Sequence, residues 1–260
     1  MKKLTTFTVV LLCSLVSYSV SAWNDMGHTT IASLAEQHLT PKTKEMCRKY
    51  LNHTLPYYAA WMDQWRNCPG YEHTSSWHTY PVDERNKRFK GESRDAAYQA
   101  MRISKQMRKY EKLSDSIVRD NLKYLIHLIA DIHCPVHIKY ANEPNLKQGS
   151  LRMKGKKYKF HAFWDSTIDY YRKGMKCDAI AKQYDTFTDK QIAEICKGNI
   201  ANWAKVNAEQ MREIYTLLPM NSEVTAVSEE NHQRMKEITI QQMRRGGYRL
   251  AKVLNGIFDK

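Results

Sequence analysis

The chain has 260 residues, with 41 Lys and Arg against 27 Asp and Glu and a formal charge of +14. That length buries one good core, and the absence of a Gly/Ser linker, an internal repeat or a low-complexity segment excludes a repeat array and a tethered multidomain chain. So basic a balance favours a polyanionic partner such as nucleic acid or anionic lipid, the plainer alternative being a solvated surface that only keeps the protein soluble.

Met1-Lys2-Lys3 gives a short basic start, Leu11 to Val20 an apolar run, and Val20-Ser21-Ala22 a small-residue cleavage site, the three parts of a secretory signal. The run is too short for a stable membrane anchor, and no later stretch is long enough. Leu12 before Cys13 fits lipoprotein processing poorly. Residues 1–22 are therefore expected to be removed, leaving a secreted or periplasmic chain, residues 23–260, that begins at Trp23 and carries +12 once Lys2 and Lys3 are gone.

From Trp23 onward the apolar spacing is mostly helical. Ile31, Leu34, Ala35 and His38 share one helix face, and Thr40-Pro41 caps and opens a second helix. Pro69 to Lys90 reads as irregular. Asp95 to Lys112 is rich in helix formers, with Ala97, Met101, Ser104 and Met107 in register. Ser114 suits the N-cap of a helix running to about Cys134, where Pro135 disturbs it. Tyr140 to Lys159 is irregular and basic, with room for a short hairpin turning at Lys154-Gly155-Lys156. Asn202 to Leu218 and Asn231 to Phe258 complete an all-α fold, a single mainly helical domain with long loops. Five cysteines remain after loss of Cys13. Export permits disulfides, Cys47 with Cys68 and Cys177 with Cys196 being the first pairs to expect, while Cys134 reads as a buried thiol.

The densest chemistry lies in His127-Leu-Ile-Ala-Asp131-Ile-His133-Cys-Pro-Val-His137. His127 and Asp131 are four apart, so one helix face presents both to a shared metal. His137 lies beyond the proline, where the chain can turn toward a second ion. His161 and Asp165 repeat the four-residue spacing. Helix histidines satisfied by neighbouring carboxylates are the bland alternative, but two such pairs and a further histidine, among ten histidines in all, favour metal. Upstream, Trp61-Met-Asp63-Gln-Trp65-Arg66 sets a carboxylate and a guanidinium three apart, and Trp77-His78 adds an imidazole. The tryptophans read as core. A mature Trp23 would offer a free α-amine and a carbonyl oxygen, which can chelate one ion, and the amine is readily neutral near pH 7.

Taken in order, Trp23 with Gly27-His28, Trp61-x-Asp63-x-x-Arg66, Trp77-His78, His127-x-x-x-Asp131-Ile-His133-x-Pro-x-His137 and His161-x-x-Trp164-Asp165 resemble the trinuclear-zinc, single-strand-specific nucleases of fungi and plants, relatives of the zinc-dependent phospholipases C. The resemblance implies three zinc ions. Asp63, His78, His127 and Asp131 would hold the first. The Trp23 terminus, His28 and a bridging Asp131 would hold its neighbour. His137, His161 and Asp165 would hold a third, more open ion, with His133 hydrogen-bonding behind the ligands. Arg66 and Asp63 are the implied catalytic side chains. The implied activity is phosphodiester hydrolysis in single-stranded nucleic acid to 5′-phosphorylated nucleotides, with 3′-nucleotidase action as a second activity and a monomer as the acting form. Zinc would activate water, so no side-chain nucleophile is required. The same cluster would also serve a phospholipase C or a non-enzymatic zinc-binding protein. The chain departs from the fungal pattern at Thr79, where an aromatic stacks on the nucleobase, and at Lys159-Phe160, which replaces Asn-Leu.

Overall fold

The computed structural model describes residues 23–87, 94–141 and 149–259; the expected signal segment, residues 1–22, lies outside them. Asn24 opens helix α1 (Asp25–Gln37) by accepting from the Gly27 amide, and Thr40 opens α2 (Pro41–Leu51) by accepting from Thr43, with Pro41 in the first turn. Helix α2 ends on Asn52 in the left-handed region at φ 57°. Two short helices follow, α3 (Leu55–Tyr58) and α4 (Trp61–Trp65). Asp95 caps α5 (Ala96–Met107), and Ser114 caps α6 (Asp115–Asp131). Helix α6 stops three residues short of the expected Cys134. A residue preceding proline avoids the helical region, and Cys134 before Pro135 is extended at φ −75°, ψ 123°.

Beyond a short antiparallel hairpin lie α7 (Phe160–Asp165), α8 (Thr167–Arg172), α9 (Cys177–Tyr184), α10 (Asp189–Ile195), α11 (Ile200–Gln210), α12 (Ile214–Leu217) and α13 (Glu229–Phe258). The hairpin pairs Ser150–Met153 with Lys156–Lys159 through Lys154 and Gly155, both left-handed at φ 53° and 74°, so it turns where expected. A second strand pair is parallel, joining Tyr80–Val82 to Ile138–Tyr140 with Tyr80 opposite Ile138. It clips together the segments that follow His78 and His137. The domain is mainly helical, and no helix among the described residues is long and apolar enough to cross a membrane.

Helix α6 is the hub. It packs against α5, α13 and α2, and its last turn is buried on every side, with His127, Leu128, Ile129, Ala130 and Asp131 all inaccessible. The 30-residue α13 lies along α1, and two glycines permit the close approach. A Cβ on Gly247 would sit 2.7 Å from Leu34 Cδ2 and 2.8 Å from Leu34 Cβ, and one on Gly246 would press Ile31 at 3.2 Å.

The expected disulfides do not form: Cys47, Cys68, Cys134, Cys177 and Cys196 are all free thiols. Their neighbours explain this. The Cys68 thiol turns back to the Gln64 carbonyl of α4, the Cys177 thiol reaches the Met26 carbonyl at 3.7 Å, and Cys196 packs in a small cluster with Leu34, Ala181 and Tyr248. Cys134 is buried, as expected of it.

Gly247→Ala sets helix propensity, worth up to ~1 kcal/mol in favour of Ala, against overpacking at a rigid neighbour, ~1–3 kcal/mol against. Because the near atoms include the Cβ of Leu34, which cannot swing aside, the variant is expected to lose about 1–2 kcal/mol in urea unfolding. A neutral or stabilised variant would show that α1 and α13 can part freely.

Candidate metal centre

Asp131, the last residue of α6, is wholly inaccessible to solvent, and four imidazoles surround its carboxylate. Oδ2 lies 3.1 Å from His78 and 3.3 Å from His127; Oδ1 lies 3.4 Å from His28 and 3.6 Å from His137. Each ring arrives on a different element. His127 shares the α6 face one turn earlier, His28 stands in the first turns of α1, His78 precedes the parallel strand pair, and His137 follows the turn that Pro135 enforces. The His28 and His127 rings stack at 3.9 Å. Asp63 of α4 joins this group, 3.7 Å from His127, 3.8 Å from His28 and 3.5 Å from His78. Arg66, one helical turn beyond, brings Nη1 to 3.3 Å from Asp63. On the far side, Asp165 of α7 lies 3.7 Å from His137 and 3.3 Å from His161. Apart from Trp23 and His133, the residues singled out in the sequence therefore converge on one cluster with Asp131 at its middle.

Trp23 is buried against α1, and Gly27 makes this possible, since a Cβ there would come within 2.8 Å of the Trp23 Cβ. The amide of Asn24 donates to the carbonyl of Asp165 at 3.0 Å, so the segment that opens α1 is tied to the α7 end of the cluster. His127 Nδ1 donates to the Ala59 carbonyl at 2.8 Å, which turns Nε2 and its lone pair inward. His133 is used elsewhere. Its Nδ1 donates to the Ile129 carbonyl at 2.7 Å, and its Nε2 accepts from Arg249 at 2.8 Å, linking α6 to α13. The Ala59, Asn24 and Arg249 contacts were not read from the sequence, although Asn24 before a helical run is an N-cap signal that was available.

Electrostatics divide the cluster. Burial alone would raise Asp131, yet His127, His28 and His78 hold it well below the usual carboxylate range. Burial also works against charge on His127, but Asp131 and Asp63 overcome it and lift that imidazole to about 9. Burial, with His127 alongside, depresses His28. Asp165 is pushed well above the carboxylate range by burial, with the charges of Asp63 and Asp131 adding to the effect. Burial likewise raises the Cys134 thiol.

The donor set fits metal cations. Both ring nitrogens of His28, both oxygens of Asp63, His78 Nε2, Asp131 Oδ1 and Asp165 Oδ2 are buried without a well-aligned hydrogen bond. Native interiors rarely leave so many polar atoms unsatisfied in one place. Cations would satisfy them together. Three groups have ligand atoms within 4.8 Å of one another: His28, His127 and Asp131; Asp63, His78 and His127, which shares His127 with the first; and, separately, Cys134, His137 and Asp165. The most exposed side chains of the cluster are His161, at 19%, and Arg66, at 11%.

Neither Tyr80 nor Tyr140 replaces the aromatic missing at Thr79. Tyr80 is buried with its hydroxyl 3.3 Å from the Ile132 and Ala204 carbonyls, and Tyr140 is buried with its hydroxyl donating to Ala208 at 2.8 Å. The exposed ring nearest in sequence to Arg66 is Trp65, stacked on Trp61.

A helical domain whose buried centre is made of clustered imidazoles and carboxylates, with an arginine beside one of the carboxylates, has the parts that metal-assisted hydrolysis needs. The sequence carries the assignment further: the S1/P1 nuclease profile matches residues 23–259, and the chain belongs to that family. It is 22% identical to Endonuclease 4 of Arabidopsis thaliana, over 97% of this chain and 95% of the relative. It is 24% identical to Nuclease S1 of Aspergillus oryzae, over 65% of this chain and 62% of the relative. The family makes this chain a nuclease, a hydrolase acting on nucleic acid.

Removing the charge at the middle should cost more than removing it at the edge, because Asp131 touches four imidazoles and Asp165 two. Asp131→Asn is expected to weaken metal binding by more than ~100-fold, the upper end for changes to groups that only support ligands, and Asp165→Asn by less. Competition titrations and metal counts on both variants check this. The reverse order would displace Asp131 from the centre.

Proposed function

We propose that this chain is a zinc-dependent nuclease that hydrolyses phosphodiester bonds in single-stranded DNA or RNA to 5′-phosphorylated nucleotides, with 3′-nucleotidase action as a second activity. The observation that carries the reading is the set of buried, unsatisfied nitrogens and carboxylate oxygens around Asp131, a donor set of the kind zinc takes. Family membership and the similarity to a nuclease and an endonuclease support it.

Three zinc ions are assigned. Asp63, His78, His127 and Asp131 would hold one; the Trp23 amine and carbonyl, His28 and Asp131 a second; His137, His161 and Asp165 a third. When bound, zinc supplies activation of water near neutral pH and neutralisation of the phosphate's charge. The protein's own part is positional. Ala59 fixes the tautomer of His127, and Asp63 holds Arg66 at the mouth, where a planar fork can hydrogen-bond the oxygens of a phosphate as charge grows on them. An unpaired nucleotide, which can splay toward the partly exposed His161 and Arg66, would reach this opening more readily than a rigid duplex. The basic exterior draws a polyanion toward that opening.

The assignment of Trp23 requires that its amine be free, so it includes export and cleavage after Ala22. A protein that begins Met-Trp23 is expected to lose one of three zinc ions and most of its activity. Full metal content and activity in that protein would remove Trp23 from the ligand set. Arg66→Ala is expected to lower kcat by ~10²–10³, as for loss of one preorganised transition-state donor, with zinc content unchanged; a loss of zinc would make Arg66 structural. The direct test compares chelator-stripped and zinc-reloaded protein, residues 23–260, on denatured DNA, duplex DNA and phosphatidylcholine vesicles. Zinc-restored cleavage of the denatured strand alone is expected. Activity that survives stripping, or that prefers the vesicles, would overturn the reading.

A further inference from the structure

Cys134 stands at the α7 end of the cluster and was expected only to be a buried thiol. It is completely buried, and its Sγ lies 3.5 Å from Asp165 Oδ1. Its sulfur, a nitrogen of His137 and an oxygen of Asp165 lie within 4.8 Å of one another. The second oxygen, Asp165 Oδ2, is buried without a well-aligned hydrogen bond and faces His161 at 3.3 Å. No other cysteine belongs to a metal-type group among the described residues.

These separations suit a tetrahedron. With bonds of roughly 2.3 Å to sulfur and roughly 2.1 Å to nitrogen or oxygen, neighbouring ligands stand about 3.6 Å apart for S and O and about 3.4 Å apart for N and O. The structure has 3.5 Å from Cys134 and 3.7 Å from His137 to Asp165 Oδ1, while His161 faces the other oxygen, Oδ2, at 3.3 Å, so the carboxylate stands between His161 and the other two donors. The placement follows from the backbone: Pro135 forces Cys134 out of α6 into an extended conformation, and the turn that follows brings His137 to the same ion-sized space.

We propose that Cys134 is a fourth protein ligand, as thiolate, to the ion held by His137, His161 and Asp165. The inference rests on the metal centre assigned above. On binding, the ion replaces the thiol proton, which passes to solvent; sulfur is neither oxidised nor reduced. Two anionic donors then balance the two charges of the ion. A thiolate also biases the site toward zinc, cobalt or cadmium and against magnesium or calcium, which prefer oxygen. Compared with three donors, four hold the ion more firmly and leave it less electrophilic, and reaction at phosphate would require expansion to five ligands.

The test uses stripped mature protein, residues 23–260, titrated with cobalt(II) and followed by absorption. A thiolate-to-cobalt charge-transfer band is expected in the near ultraviolet as the third equivalent binds. Cys134→Ser should abolish the band and weaken the third equivalent by at least ~10-fold, while the first two still bind. Three bound cobalt ions with no such band would overturn the inference and leave the metal centre standing. So would a band that persists in Cys134→Ser, or unchanged affinity in that variant. Failure to bind cobalt or zinc at all would instead overturn the centre itself. If Cys134→Ser does not fold, the wild-type spectrum decides alone, because a thiol that only hydrogen-bonds to Asp165 gives no charge transfer.

Discussion

The structure turns on a carboxylate placed where a carboxylate is costly. Asp131 is sealed from water, and it ends a helix whose last carbonyls already present negative charge. Burial of an ionised acid at such a point requires positive charge within contact distance. Imidazoles from four elements supply a little of it through His127, but a protonated imidazole cannot satisfy two oxygens facing four rings. Divalent cations can. The architecture around α6 brings ligands to that point from distant parts of the chain, and it explains why the polar atoms of the cluster are left without ordinary hydrogen bonds.

Three devices hold the convergence in register. The glycine pair of α13 lets α1 lie close, which sets the depth of His28. The parallel pairing of Tyr80 with Ile138 locks the segments carrying His78 and His137 side by side. The amide of Asn24 on the Asp165 carbonyl joins the segment that opens α1 to α7. The two hydrogen-bonded ties act on backbone at or within two residues of a side chain of the cluster, whereas the glycines act across the α1–α13 contact. A ligand set drawn from so many elements needs such ties, because a shift of one ångström at any of them would misplace a donor.

Charge is distributed to match. The chain is strongly basic overall, yet its centre concentrates Asp63, Asp131 and Asp165. The exterior attracts polyanions at long range, whereas the interior carboxylates attract cations at short range, and bound cations would present a positive face to a phosphate at the opening. Arg66, held by Asp63, marks where these two fields meet.

Much of this was determined by sequence alone. Helix starts at Asn24, Thr40, Asp95, Ser114 and Ser228 are capping chemistry within four residues of chain, and the spacing of His127 and Asp131, or of His161 and Asp165, fixes a shared face by helical geometry. The left-handed turn at Lys154-Gly155 is equally local. Tertiary structure decided the rest. Spacing could not show that the cysteines would find carbonyls and core neighbours instead of each other, because disulfide geometry depends on the separation of remote backbones. Nor could it show that His133 would turn to Arg249, that Tyr80 and Tyr140 would be buried, or that the Cys134 sulfur would face Asp165. Those outcomes depend on which face of α6 meets α13 and which meets α7, and packing between distant segments sets that orientation.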